Sequence, residues 1–95
     1  VEAVGPAVTA FAAGDEVFGY VRRDDVQWGT TAELVPAPQR CLAHKPESLS
    51  FAEAAGLPLA GLTAYQSLTE ALDVHEGERV LVHRAAGGVG FSAVQ

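Results

Sequence analysis

The sequence predicts an α/β fold in two successive parts, an antiparallel β region that gives way to a strand, a glycine-rich turn and a helix. Three observations predict it. The first forty residues are rich in Val, Gly, Pro and Thr, with short apolar runs parted by turn residues. Ser50-Phe51-Ala52-Glu53 has the form of a helix start, and the apolar run Val80-Leu81-Val82 leads into Ala85-Ala86-Gly87-Gly88-Val89-Gly90.

In the β region, Val1-Glu2-Ala3-Val4-Gly5 reads as the end of a strand. Turn signals at Gly5-Pro6, Ala13-Gly14-Asp15 and Gln27-Trp28-Gly29 then separate the runs 16–21 and 30–35, a spacing that suits short strands joined by tight turns. Pro36, Pro38 and Pro46 have no N–H to give a ladder, so this stretch reads as an extended connector that ends strand pairing.

At Ser50 the pattern changes. Its hydroxyl is placed to accept the Glu53 N–H while the Glu53 carboxylate reaches back, which is the reciprocal capping box of a helix N-terminus. A short helix is expected from there, interrupted by Pro58. A second, longer one follows, with Leu62, Tyr65, Leu68 and Leu72 at helical spacing on one face and an end near Asp73. His75-Glu76-Gly77-Glu78 is a turn. Val80-Leu81-Val82 shows no alternation and is expected to be a parallel strand buried on both faces.

Bulk properties bound the function. Nearly half of the 95 residues are apolar and a fifth are charged, the composition of a folded interior. Twelve acidic residues against six basic ones give a net charge of -6, and the basic residues are scattered except for Arg22-Arg23, which Asp24-Asp25 follow at once. This is no footprint for nucleic acid. One cysteine, Cys41, forms no internal disulfide and supplies too few thiolates for a structural zinc site. Neither a signal peptide nor a membrane span is visible, and a reducing, cytoplasmic setting is expected. The chain opens without Met and stops within an expected helix, so it reads as an internal piece of a longer protein.

The chemistry sits in the glycine turn. Strand, glycine turn and helix in that order form the context of a dinucleotide-binding fingerprint, here A-x-G-x-x-G, with Ala85 in place of the first glycine. Gly87 removes a Cβ that would keep a pyrophosphate from the backbone, Gly90 lets the helix pack closely on the strand, and free N–H groups at the helix start face the phosphates. A valine at Gly87 is expected to fill that space and to exclude the φ the turn needs. Ala85, Ala86, Gly87, Gly88, Val89 and Gly90 are therefore the candidate cofactor-binding residues. A glycine turn that serves backbone geometry alone is the other reading of the same residues.

Four blocks in order carry a resemblance: Val4-Gly5 with Gly14-Asp15-Glu16-Val17, then Ala32-Glu33-Leu34, then Pro58 to Tyr65, then Gly77 to His83 with Ala85 to Gly90. Together they resemble the zinc-independent quinone oxidoreductases, zeta-crystallin type included, of the medium-chain dehydrogenase/reductase superfamily. The resemblance implies part of a GroES-like β-barrel catalytic domain at 1–50, junction helices at 51–78 and the start of a Rossmann NAD(P)-binding domain at 79–95. It further implies hydride transfer from NADPH or NADH to a small-molecule quinone or enone. Thr63 is placed near the nicotinamide carboxamide, with back-bonding inside its own helix as the alternative. Tyr65 lies either near the domain cleft or in the core.

Zinc-dependent members of that superfamily carry a cysteine ligand where this chain has Leu59, and a cysteine lobe where residues 19–34 hold none. A leucine cannot hold the metal, so the resemblance implies a zinc-free enzyme. No catalytic acid or base is assigned. His83 reads as a structural group closing the strand, His44 and His75 as solvated, and Cys41 as a small apolar residue. Arg84 stands where Gly or Ala is common in the family; it faces solvent or reaches a cofactor phosphate. The full-length protein is expected to be a homodimer with neither nucleic-acid nor membrane partners, and residues 1–95 alone are expected to be inactive. Two other readings remain open: the enoyl reductase domain of a polyketide synthase, and a non-catalytic, crystallin-like use of the fold.

Overall fold

The computed structural model describes residues 1–22 and 29–95. They divide into two compact units, Val1–Ala55 and Gly56–Gln95. The elements are β1 (Val17–Gly19), a 3-10 turn at Gln39–Cys41, β2 (Leu42–His44), α1 (Phe51–Gln66), a π-helical turn at Ser67–Ala71 and α2 (Gly88–Ala93).

In the first unit the antiparallel expectation holds, with different partners. β1 lies inside the expected run 16–21 and pairs with β2, in the register Val17 with His44, Phe18 with Ala43 and Gly19 with Leu42. β2 sits in the stretch read as an unpaired connector. Pro38 and Pro46 lack N–H groups only at their own positions, so the residues between them retain donors for a three-residue ladder. Lys45 extends it, its N–H reaching the Glu16 carbonyl at 2.8 Å. The Lys45 ammonium, with only 5% of its side chain exposed, meets the Glu16 carboxylate at 3.0 Å and the Leu49 carbonyl at 2.6 Å.

The strand expected at 30–35 and the strand end at 1–5 are not formed, since neither run finds a neighbouring ladder. The turns are formed at Gly5, where Val8 N–H reaches the Gly5 carbonyl, and at Gly14, whose φ of +95° suits glycine. The Gln39 side chain, which no local signal marks, ties the early loop down by accepting the Thr9 and Ala10 N–H groups. The expected turn at Gln27-Trp28 lies outside the described residues.

The capping box forms as read. Ser50 Oγ accepts the Glu53 N–H at 3.3 Å, and the Glu53 carboxylate accepts both the Ser50 N–H at 2.9 Å and the Ser50 hydroxyl at 2.6 Å. These contacts, the hydroxyl first and the backbone N–H second, hold the Glu53 carboxyl below its ordinary value of 4.5, against a small opposing effect of desolvation.

Pro58 does not interrupt the helix: α1 runs through it as one element of 16 residues. The ring removes the N–H that the Ala54 carbonyl would accept, yet the turns on either side keep their own bonds and carry the helix across the gap. α1 then widens, the Leu72 N–H reaching back five residues to Ser67. It closes near Asp73, as expected, with Asp73 at φ +51° and the Val74 N–H on the Leu68 carbonyl.

The buried helix residues are Ala54 in the first unit and Ala64 in the second. The expected apolar stripe is not a core here: Leu62, Tyr65 and Leu72 are 46%, 63% and 64% exposed. Among the described residues no helix is long and apolar enough to cross a membrane.

The capping box has a pH signature. A carboxyl held below its ordinary value stabilises the fold above about pH 4.5, and that contribution is lost as the pH falls through the lowered value. In the full-length protein Ser50→Ala is expected to lower stability at neutral pH and to narrow the gap to wild type in acid. Melting curves from pH 7 down to pH 3 check this.

Candidate functional site

The glycine turn is built on backbone contacts of a few residues. The chain turns at 83–86, and the Gly87 N–H closes the turn on the Arg84 carbonyl at 2.9 Å. Arg84 adopts a left-handed conformation with φ +55°. Ala85 does not, so its replacement of the first fingerprint glycine carries no backbone penalty and the strained position falls one residue earlier. α2 follows at once, with the Phe91 N–H on the Gly87 carbonyl at 2.7 Å. No side chain caps it, so its first N–H groups are left without a side-chain acceptor.

The three glycines face different neighbours. A Cβ on Gly90, which is buried, would overlap the Arg84 carbonyl oxygen and come within 2.8 Å of the Ala85 Cα. A Cβ on Gly88 would touch the Ala60 methyl of α1 at 3.4 Å, so the loop lies against that helix. A Cβ on Gly87 would meet the Arg84 carbonyl oxygen at 3.4 Å and the Arg84 Cγ and Cδ at 3.6 and 3.7 Å, which are ordinary contacts. Gly90 is thus glycine for packing, while Gly87 is under no packing demand of that severity. Gly87 has φ -83°, open to any residue, so the expectation that valine would exclude the turn's φ is corrected. Only the argument from space remains for Gly87.

The expected strand at 80–82 is absent: no ladder forms, Val80 is 44% exposed and Leu81 is 81% exposed. An extended segment becomes a strand only through bonds to a neighbour, and the sole sheet among the described residues is β1 with β2. His83, expected to close that strand, lies exposed in the turn.

Thr63 donates its hydroxyl to the Leu59 carbonyl at 2.7 Å, the back-bond that was the alternative to a cofactor contact. It is exposed and borders a shallow polar groove with Gln66, Ser67, Glu70 and Ala71. Tyr65 is exposed and therefore not core in these residues. His44 lies 4.9 Å from the Phe11 ring, His75 is 4.0 Å from Asp73, and Cys41 is half-buried and free. Among the described residues no group of three or more His, Cys, Asp or Glu is close enough to hold a metal ion.

The chain is similar to known proteins in sequence and in fold. No protein-family profile matches the chain. The structure is a mixed α/β fold that superposes on the crystal structure of the CurK enoyl reductase with a TM-score of 0.73 and 36% identity, over 98% of this chain and 26% of that one. In sequence the chain is 46% identical over 95 residues to the pikromycin polyketide synthase component PikAII of Streptomyces venezuelae, covering all of this chain and 2% of that protein. It is 42% identical over 96 residues to the 2-methylene-furan-3-one reductase of Solanum lycopersicum, covering 97% of this chain and 24% of the reductase. The chain therefore spans a small part of these relatives, about a quarter of the single-enzyme one. Its homologues include oxidoreductases, in accord with the medium-chain dehydrogenase/reductase superfamily.

The glycine geometry makes two substitutions diverge. In the full-length protein Gly90→Ala is expected to destabilise by about 1 to 3 kcal/mol, because the atoms it overlaps are backbone and must shift. Gly87→Ala is expected to change stability by less than about 1 kcal/mol, a weaker helix start being offset by a stiffer unfolded chain. Thermal melts of the two variants side by side check the order.

Proposed function

We propose that this chain carries the cofactor loop and the adjoining junction of an NAD(P)H-dependent enoyl reductase, of the kind found within polyketide synthases. The observation that carries the reading is the coincidence of the A-x-G-x-x-G turn, with Gly87 in ordinary contact only and Gly90 close-packed, and the likeness to an enoyl reductase structure along 98% of the chain. The segment 1–50 then belongs to a GroES-like catalytic domain, 51–78 to the junction and 79–95 to the start of a Rossmann domain.

The residues fit a dinucleotide. The space that a Gly87 side chain would occupy is bounded by the Arg84 stem and its carbonyl at ordinary contact distances, and a phosphate approaching the backbone of 87–89 would meet no Cβ at Gly87 or Gly88. When bound, NAD(P)H supplies a hydride to the β-carbon of an enone or enoyl thioester, and a proton from a separate donor completes the α-carbon. The chain's own part is to hold the dinucleotide. Gly88 and Val89 present backbone N–H groups, Gly87, whose own N–H is taken by the Arg84 carbonyl, keeps a side chain out of the way, Ala85 and Ala86 shape the turn, and Gly90 lets α2 begin directly beneath it. Thr63, whose hydroxyl donates to Leu59, keeps oxygen lone pairs to offer the carboxamide.

A quinone acceptor is the second reading, favoured by the four sequence blocks that resemble quinone oxidoreductases. Enoyl, enone and quinone acceptors all place a carbon–carbon double bond in conjugation with a carbonyl, so a single cofactor loop serves each. The name of the tomato relative points to an exocyclic enone of this kind.

Gly87→Val in the full-length protein is expected to weaken NADPH binding by about 2 to 4 kcal/mol, or roughly 30- to 1,000-fold, through lost charge-assisted contacts to backbone N–H groups. Fluorescence titration with a melting curve on each protein checks it. Unchanged affinity in a folded variant would reduce the loop to a structural turn and leave the non-catalytic use of the fold standing. With Leu59 in place of a thiolate ligand, reduction of a crotonyl thioester is expected to survive a strong chelator; loss of activity together with one bound zinc would overturn the zinc-free assignment.

A further inference from the structure

We infer that the Arg84 guanidinium is a direct ligand of the dinucleotide's pyrophosphate, an inference that rests on the cofactor-loop reading above. Three observations place it there. The Arg84 stem borders the space left by the missing Gly87 side chain, with Cγ and Cδ 3.6 and 3.7 Å from where that Cβ would stand. A phosphate filling that space touches the methylenes and lies within reach of the guanidinium that begins at the next atom of the side chain.

The guanidinium is also available. Arg84 is exposed, and the ion pairs formed among the described residues, Lys45 with Glu16 and His75 with Asp73, do not involve it. In a chain of net charge -6 it is a cation not committed to a carboxylate beside the loop.

The third observation is conformational. Arg84 holds φ +55°, a region that costs a residue with a Cβ about 1 to 2 kcal/mol and that glycine enters freely. In this conformation the Arg84 carbonyl accepts the Gly87 N–H while the side-chain stem lies beside Gly87, so one residue both closes the turn and borders the glycine. A planar guanidinium offers paired N–H donors matched to phosphate oxygens, which an ammonium cannot reproduce.

The test is titration of NADPH and NADH against full-length wild type, Arg84→Ala, Arg84→Lys, Arg84→Gly and Gly87→Val, each with a melting curve. The expected result is a loss of about tenfold to a hundredfold in affinity for both dinucleotides in Arg84→Ala, with partial recovery in Arg84→Lys. Arg84→Gly is expected to melt at or above the wild-type temperature yet bind as weakly as Arg84→Ala, which separates charge from loop geometry. Adenosine, which has no phosphate, should bind all the Arg84 variants alike. A loss confined to NADPH would mean that Arg84 reads the ribose 2'-phosphate and would overturn the assignment. Unchanged affinity in Arg84→Ala with a loss in Gly87→Val would overturn it while leaving the loop in place. Unchanged affinity in both folded variants would overturn the loop reading together with it.

Discussion

The glycine turn depends on where one carbonyl oxygen lies. The Arg84 carbonyl accepts the Gly87 N–H and also occupies the position at which a Gly90 side chain would begin. Turn and helix are therefore built on the same atom, and α2 starts within three residues of the turn's last bond because nothing but a hydrogen stands on Gly90. The backbone N–H groups at 88–89 inherit their direction from that close approach. The pyrophosphate site proposed for this turn would need no charged side chain to be shaped; it would need a Cβ to be missing at one residue for packing and at another for access.

The same physics separates what was legible in the sequence from what was not. The capping box and the turns at Gly5, Gly14 and Gly77 involve partners within three or four residues, and all of them form. Strand pairing is different. β1 and β2 lie more than twenty residues apart, and nothing at Leu42–His44 distinguishes a short edge partner from an extended connector between prolines. Val80-Leu81-Val82 fails in the opposite direction. Its composition is that of a buried parallel strand, but composition supplies no ladder partner, and without one the run stays extended and exposed. Pro58 shows that a breaker acts on one hydrogen bond, and 15 other residues of α1 outweigh it. In the site itself, the demand for glycine at Gly90 was legible, but the backbone it packs on is the Arg84–Ala85 turn and not the expected strand. The conformation of Arg84 was not legible, since a fingerprint marks where glycines stand and says nothing of a neighbour that takes the left-handed strain.

The exposed apolar side chains bear on function as well. Leu62, Tyr65 and Leu72 on the long helix, with Leu81 and Phe91 in the loop and α2, are of the size and spacing that helices and strands of an α/β layer bury against each other. The tomato reductase that matches this chain is about four times its length, and a proposed reductase would draw its acceptor pocket from that remaining length. In that proposal the part of this segment would be the one that fold geometry alone provides, which is to hold the dinucleotide still. Positioning is a large share of the catalytic task when the cofactor brings its own hydride.

Among the described residues two other than glycine hold positive φ, and they differ in what explains them. Asp73 ends the helical segment at a C-terminal position where left-handed geometry is routine and where a short polar side chain tolerates it. Arg84 has no such excuse. Its side chain is long, a glycine there would relieve the strain, and the family that the chain resembles commonly has Gly or Ala at that position. Strain of this size persists where something outweighs it. Among the described residues neither ion pair engages the Arg84 side chain, whose Cγ and Cδ face Gly87. What holds the left-handed conformation is the bond from the Gly87 N–H to the Arg84 carbonyl, on which turn and helix are both built, and the proposed pyrophosphate would add a contact to the side chain that this conformation leaves uncommitted.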